Sequence, residues 1–507
     1  MRDIYGRTVQ SAYDYVVVGS GSAGSVIAAR LAEDKDVKVL LLEAGPVDDS
    51  LYIRMPAALG FPLTDDRFNW YMHSEEEPEL NNRKIYEARG RVLGGSSSIN
   101  GMNWVRGNPW DYDNWEALGA KGWSYKDCLP YFKKAESFDK GGDEYRGDIT
   151  QRNIHKGLRW NTSRAYIHEN KDISRLHVCD KSQVTRIEFD KKKAVRIHFH
   201  WHGMPQVIEI KREIILSAGA LHTPHILMLS GIGDKAHLKE HGIECVADLP
   251  GVGQGLKDHV AAPVQYRATQ NVSIAKELTL FGKAKLGAQW QFFKKGLGAT
   301  NFFEVGAFIR TRDDIKVPNV QFEFIPLLGE FQHGSVQLEN GFQYFFSLMR
   351  PTSTGRVWLG SADPFAAPKF RFNFLSTEED RRDAIDAVKA IRNVVSQKAW
   401  DHLRGEEVTP GPNVQTDEEI LAMLRDNAGT NYHPCCTCRM GHDEMSVVDE
   451  FGRVHTLDNV RIVDASIMPE IPSGNLNAPI IMMAEKMADI IKGTKSLISD
   501  TDYFKVA

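Results

Sequence analysis

Residues 13–45 read YDYVVVGSGSAGSVIAARLAEDKDVKVLLLEAG, and this stretch decides the fold. Residues 15–18 are a short β-branched run of the kind found in strands buried on both faces. The turn Gly19-Ser20-Gly21-Ser22-Ala23-Gly24 follows at once. A small, apolar, helically spaced segment then covers 25–31, and a second apolar strand over 37–42 ends in Glu43. Each part has a job in holding a dinucleotide. Gly19 permits the sharp turn, Gly21 lets the backbone approach a pyrophosphate, and Gly24 lets the helix lie close to the strand. The helix start offers free N–H groups and the positive end of its dipole to the phosphates. Glu43 and the adjoining Ala44 stand where a ribose diol would be held. A glycine-rich turn alone is weak evidence, but here strand, turn, helix, second strand and acidic end all fall where the binding mechanism needs them. The motif alone does not choose between NAD and FAD.

Outside this unit the totals are those of an ordinary globular protein: 507 residues, 42% hydrophobic, 25% charged, formal net charge −5. A chain of this length should bury a large core and form about two domains. It shows no basic surface of the kind nucleic acids require. Six cysteines are too few for a disulfide scaffold and fit a reducing compartment. No apolar run reaches the about 18–20 residues of a membrane span. The first fifteen residues, MRDIYGRTVQSAYDY, have no apolar stretch and do not read as a signal peptide. The expected location is cytoplasmic, with peripheral attachment to the inner face of a membrane left open.

Further along, aromatic residues at 52, 61, 68, 70 and 71 suit either core packing or a pocket lining. Residues 90–98 hold three glycines and three consecutive serines, a nest of N–H groups suited to an anion or a helix cap; Asn100 then falls in a first helical turn. Residues 108–135 read as helical, and 138–157 as a polar loop that could be a lid. Alternating strands over 184–189, 195–201 and 206–210 suggest an antiparallel sheet with one exposed face, and 213–218 a separate buried strand. Residues 256–452 change character, with antiparallel strands near 261–267, 320–326, 343–349 and 356–359 and helices between them. The chain then returns to a buried strand at 460–463 and a helix beginning near Ala478.

Five stretches together are similar to the glucose–methanol–choline (GMC) flavoenzymes: the βαβ unit, GRVLGGSSSIN (90–100), GALHTPHILMLSGIG (219–233), YHPCCTCRMG (432–441) and VDASIMPEIPSGNLNAPIIMMAEKMADII (463–491). The resemblance implies FAD and an α/β fold. A Rossmann-like FAD domain is built from 12–47, 79–135, 178–255 and 453–495, and a substrate domain with a large antiparallel sheet from 48–78, 136–177 and 256–452. GATNFFEVGAFIRTR (298–312), LMRPTSTGRV (348–357), DEMSVVDEFGRVH (443–455) and SGNLNAP (473–479) resemble the choline dehydrogenases of that family. One departure is the short crossing between YRG (145–147) and RWNTSRAYI (159–167), where the family usually has more chain.

The resemblance implies oxidation of a primary alcohol to the aldehyde, most like choline to betaine aldehyde. A broad-specificity alcohol dehydrogenase or oxidase is the alternative, and a lyase using FAD structurally stands behind it. His433 is the expected base, since histidine titrates near pH 6.5. Asn477 is the expected donor to the substrate oxygen. Glu304 is expected to meet the quaternary ammonium inside walls formed by Phe61, Phe303 and Tyr432, because a buried carboxylate needs a compensating cation. FAD is expected on Gly19, Gly21, Ser22, Ala23, Gly24, Glu43, Ala44, Gly95, Asn100, Gly101, Val184, Asp464, Ala465, Ala478 and Pro479. The family's covalent histidine position is Ile99 here, so non-covalent FAD is implied. Cys435, Cys436 and Cys438 beside His433 invite a metal, but a structural zinc site needs two separated ligand pairs, and none is expected. The expected partners are the alcohol and an electron acceptor (quinone, dye or oxygen), with a homodimer left open.

Overall fold

The strand Ala12–Val18 sits near the middle of a seven-stranded sheet. The computed structural model describes residues 1–136, 153–170, 174–332, 335–499, 501 and 503. On one side of Ala12–Val18 lie Val39–Leu42 and then Leu176–Cys179, both parallel. On the other side runs Met204–Leu216, which also pairs in parallel with Val460–Ile462. All seven residues of Val39–Leu42 and Val460–Ile462 are buried, as parallel strands covered on both faces should be. Crossovers from Ala12–Val18 to Val39–Leu42 pass through the helix Gly24–Leu31, whose Val26, Ile27 and Ala28 are fully buried.

Met204–Leu216 differs from the sequence expectation. The sequence pattern predicts two strands, 206–210 and 213–218; one 13-residue strand, ending at Leu216, spans both and has two allegiances. Its first half pairs antiparallel with Lys193–Trp201, and its second half runs parallel to Ala12–Val18. The alternation of the first half and the apolar run of the second are one strand crossing from a solvated ribbon into the core.

A six-stranded sheet forms the second body. Its order is Val305–Ile309, Val320–Ile325, Gly341–Leu348, Val260–Ala268 and Arg404–Thr409, with the short Gly429–Thr430 also on Val260–Ala268. The strand expected near 356–359 belongs elsewhere: Gly355–Trp358 pairs with Gln254–Leu256 and Lys369–Arg371 in a three-stranded sheet. The helices Pro109–Ala117 and Tyr125–Ala135 answer the expectation for 108–135. Most of the loop read at 138–157 lies outside the described residues.

The glycine turn is packed to its limit. A Cβ on Gly24 would lie 1.8 Å from the Gly19 carbonyl oxygen. Gly24→Ala should therefore cost about 3 kcal/mol or more through forced overpacking. It should also yield protein with little flavin, read by thermal unfolding and the visible spectrum. Wild-type stability and flavin content in this variant would overturn that account.

Candidate active site

Two glycine loops meet back to back. A Cβ on Gly95, whose φ is +53°, would lie 2.6 Å from Gly21 Cα, and one on Gly90 would strike Gly95 itself. Ser20 donates to Glu43 Oε2 from both its N–H (3.0 Å) and its hydroxyl (2.6 Å), and Gly45 N–H donates to Oε1 (2.9 Å). Burial pushes the Glu43 carboxyl upward against these donors. Ala23, which caps Gly24–Leu31, makes no side-chain capping bond; Ser25 N–H donates to the Gly21 carbonyl (3.1 Å), and the N–H groups of Gly24 and Val26 are left for a ligand. Ser22 Oγ donates to Asn477 Oδ1 (2.7 Å), tying this turn to the start of the helix Asn477–Lys492. Ala478 and Pro479 occupy that helix's first turn, and both are buried.

The Gly90–Asn100 loop departs from expectation at its end. Gly95–Ser98 is a single 3-10 turn, and Asn100 lies beyond it instead of in a helix. Asn100 is instead held by Arg159, whose Nη1 donates to its carbonyl (2.6 Å) and its Oδ1 (2.9 Å). Gly101 lies against the Phe303 ring. Asp464 receives Gly219 N–H, the Thr223 hydroxyl, Ser466 N–H and the Ser466 hydroxyl, all within 2.8 Å. Its carboxylate is therefore spent on fixing the helix Gly219–Leu229 and its own turn; the carbonyls of Asp464 and Ala465 accept from Ile467, Cys436 and Met468, which leaves their backbone N–H groups for a cofactor. Val184 is buried on Ser182–Asp190, whose Ser182 N–H donates to the Glu43 carbonyl. These residues fit FAD: a close-packed glycine cradle, an uncapped helix start and an acidic strand end.

His433 is placed by strand pairing. Val260 pairs with Thr430 and Ala261 with Gly429, so antiparallel register brings His259 and Asp258 opposite residues 431–433. Asn431 N–H donates to the His259 carbonyl (3.0 Å) and His433 N–H to Asp258 Oδ1 (2.8 Å). Tyr432 takes a left-handed φ of +62°, a cost of about 1–2 kcal/mol for a residue with a Cβ. Arg89 Nη2 holds its carbonyl (2.7 Å). Asp258 shares the space with Glu87, also buried; burial, then the Glu87 charge, pushes the Asp258 carboxyl well above the usual range.

The His433 ring is met at both nitrogens. Nδ1 lies 3.0 Å from His259 Nδ1, and Nε2 lies 3.3 Å from Asn475 Nδ2. An amide N–H directed at Nε2 requires a lone pair there, so the His433 proton sits on Nδ1 and is donated to His259. Burial, then His259 and Arg89, hold His433 well below the usual histidine range. His259 is pushed down to about 3, chiefly by burial.

Here the sequence expectation is corrected. Asn477 was expected beside His433, but its amide faces Ser22 and Asn153 (3.1 Å). The residue on His433 is Asn475, two positions earlier. A helix start separates the two amides: Asn477 opens the helix, whereas Asn475 lies two residues earlier, before the cap residue Leu476. Asn475 Oδ1 accepts from Gln321 Nε2 (3.3 Å), and Asn475 also donates to Glu323. Glu323 further accepts from Asn103 Nδ2 (2.8 Å), and burial raises its carboxyl. Gln321 and Glu323 were missed. Their signal was the alternation VQFEFI, which puts both on one face of the strand Val320–Ile325.

The expected ammonium walls do not converge. Glu304 is exposed, so no buried carboxylate there calls for a cation. Phe61 stacks on Tyr52 (4.6 Å) at an open cleft of about 630 Å³ also lined by Thr64, Asp65, Asp66 and Tyr71. Phe303 lies on Gly101, and among the described residues no ring contact joins Phe61, Phe303 and Tyr432. Cys435, Cys436 and Cys438 are buried free thiols, and among the described residues no cluster suited to a metal ion is found.

Parallel strand, glycine turn, uncapped helix and acidic strand end make this a dinucleotide-binding oxidoreductase fold. GMC oxidoreductase family models match residues 13–152 and 137–261 at the N-terminal end and 351–484 at the C-terminal end. The chain is 42% identical over 547 aligned positions to an oxygen-dependent choline dehydrogenase of Acinetobacter baumannii (strain AYE), covering 98% of this chain and 99% of that one. It is 42% identical over 533 positions to one of Pectobacterium carotovorum subsp. carotovorum (strain PC1), covering 96% and 95%. Among solved structures, pyridoxine 4-oxidase from Mesorbium loti aligns with a TM-score of 0.85 at 26% identity, covering 95% of this chain and all of that one. A formate oxidase of Aspergillus oryzae RIB40 aligns at 0.88 and 24%, covering 96% and 99%. The chain belongs to the GMC oxidoreductase family. It is an FAD-dependent enzyme that oxidises an alcohol.

Proposed function

We propose that this chain oxidises choline to betaine aldehyde, with His433 as the base and Asn475 as the donor to the alcohol oxygen. The observation that carries the chemistry is the His259–His433–Asn475 chain, which leaves one unprotonated histidine nitrogen beside an amide donor. The choline-dehydrogenase names of the 42%-identical relatives support the substrate. His433 Nε2 takes the hydroxyl proton, which a positioned base makes easier by about 10²–10⁴-fold. Asn475, held by Gln321 and Glu323, would turn the N–H now directed at His433 Nε2 to the developing alkoxide once the substrate hydroxyl takes its place at that nitrogen. The acceptor chemistry FAD supplies when bound is uptake of the hydride at N5. Gly19, Gly21, Ser22, Ala23, Gly24, Glu43 and Ala44 would hold its nucleotide half. Gly95, Asn100, Gly101, Val184, Asp464, Ala465, Ala478 and Pro479 would hold the rest. Ile99 has no nucleophile, which supports non-covalent attachment.

The ammonium partner in this proposal is Glu323, supported by its burial and its bond to Asn475. Glu304, exposed at the head of the edge strand Val305–Ile309, makes no ion pair among the described residues and serves as the comparison. Anaerobic flavin reduction by choline and by its uncharged isostere 3,3-dimethylbutan-1-ol tests both. Glu323→Gln should cut kcat/KM for choline by about tenfold and spare the isostere, a loss typical of a cation contact. Selective loss in Glu304→Gln instead would move the ammonium to Glu304. Equal rates for both alcohols in the unmodified enzyme would replace choline with a broad primary alcohol range.

A further inference from the structure

The short crossing that ends at Arg159 delivers an arginine into the protein interior with no acid to meet it. Arg159 is 2% exposed. Its Nε donates to the Ile53 carbonyl (2.9 Å), and its Nη1 donates to Asn100 twice, with the Ser97 carbonyl at 3.5 Å. Its Nη2 is buried and has no hydrogen-bond partner. Among the described residues no carboxylate forms an ion pair with it. Arg106, Arg312, Arg350 and Arg461, also mostly buried, each hold one: Glu136, Asp383, Asp111 and Glu213. Carbonyl oxygens solvate a guanidinium but do not neutralise it, and an unpaired charge is costly to bury. Burial pulls the Arg159 guanidinium down to about 9, which leaves it charged at neutral pH. The space at Nη2 therefore suits a negative charge that the chain itself does not supply.

The neighbours of Arg159 point to the source of that charge. Residues 159–163 are tied to both glycine loops. Thr162 N–H donates to Ser97 Oγ (3.0 Å), Thr162 Oγ1 to the Gly21 carbonyl (3.3 Å), and Asn161 Nδ2 to Ser98 Oγ (2.6 Å). Thr162 thus serves the end of the cradle at Gly21, and Arg159 the end at Asn100. From Asn100 a chain of contacts leads to the catalytic histidine. Asn301 Nδ2 donates to the carbonyl of the next residue, Gly101 (2.7 Å), and to Asn103 Oδ1 (3.0 Å). Asn103 Nδ2 donates to Glu323, which also receives Asn475, the amide on His433. The diphosphate of FAD has its own donors in the helix start at Gly24. The cation at Asn100 is on the side joined to His433, where the reactive ring of the flavin belongs. That ring is neutral when oxidised and gains negative charge with the hydride, and nearby protein charge tunes this change.

We propose that Arg159 is the fixed positive charge that favours the reduced, anionic flavin over the oxidised one. A cation held beside a group that becomes negative stabilises the charged state, and salt screens such a buried pair far less than an exposed one. This role rests on the FAD cradle. It is independent of which alcohol is oxidised and of His433 as the base.

The test is the midpoint potential of the bound flavin, measured by dithionite reduction against a reference dye with no alcohol present. It compares the unmodified holoenzyme with Arg159→Lys and Arg159→Gln, with thermal unfolding as the check on folding. FAD bound to the unmodified enzyme should be reduced at a higher potential than free FAD. Arg159→Gln should shift the equilibrium at least about tenfold toward oxidised flavin, about 30 mV for a two-electron couple. Arg159→Lys, which keeps the charge, should recover most of that shift. By linkage, Arg159→Gln should lose more affinity for reduced FAD than for oxidised FAD, read by flavin release on anaerobic dilution. A potential at or below that of free FAD in the unmodified enzyme would overturn the proposal without any variant. An unchanged potential in Arg159→Gln would overturn it too. Equal loss of affinity for both forms of FAD would then give the charge to the diphosphate, and lost thermal stability alone would make Arg159 only a clamp on the serine loop.

Discussion

His433→Ala should purify with normal flavin content and lose about 10²–10⁴-fold in the rate of anaerobic flavin reduction by alcohol, the contribution of a positioned base. Among the described residues His433 bonds to Asp258, His259 and Asn475, none of them in the glycine cradle, so cofactor retention and proton removal should separate in this variant. The same ring sets the pH response. Burial, His259 and Arg89 all disfavour the charged imidazole, so His433 stays unprotonated as the pH falls through the usual histidine value. The acid limb of the reduction rate should therefore lie below about pH 6.5, the unperturbed histidine value. Bleaching at the normal rate by His433→Ala would remove the histidine from the chemistry. An acid limb above pH 6.5 in the unmodified enzyme would show that its ring is not held in the uncharged form.

The second large effect concerns the two asparagines. Asn475→Ala should lower the reduction rate by about 10²–10³-fold, as loss of an oxyanion donor does, with little change in flavin binding. Asn477→Ala should do the reverse: it breaks the bond to Ser22 Oγ, so it should weaken FAD retention and leave the reduction rate of the loaded enzyme nearly intact. Stopped-flow reduction and flavin release on dilution measure the two separately. If Asn477→Ala carried the catalytic loss, the assignment of roles would be exchanged.

Those two residues also show how far the sequence could be followed. The nucleotide half of the site was legible because its determinants are local: Gly19, Gly21, Gly24 and Glu43 act within one βαβ unit, where spacing and chemistry coincide. The catalytic half depends on which way a side chain points as chain enters a helix. In SGNLNAP both asparagines are near enough to serve, and only the helix start between them turns one to His433 and the other to Ser22. His259 was invisible for a related reason. Its partnership with His433 comes from strand register across 174 residues of chain. Gln321 and Glu323 misled in another way: polar–apolar alternation reads as a solvated strand face, but their face is buried and closes over the active site. Glu304 failed on burial, which no local pattern in FFEVG discloses.

The strand Met204–Leu216 has a consequence for biosynthesis. It pairs with the first strand of the chain and with Val460–Ile462, near its far end. While the ribosome is still making the middle of the protein, the cofactor unit has an unpaired edge along Ile214–Leu216. Such edges are sites of mispairing between nascent chains. Completion of the sheet waits for residues about 250 positions later, a contact order that favours slow maturation. Polypeptides truncated before Val460 would keep every nucleotide-binding glycine and still lack a closed sheet, so premature termination should yield aggregation-prone fragments instead of a minimal flavoprotein.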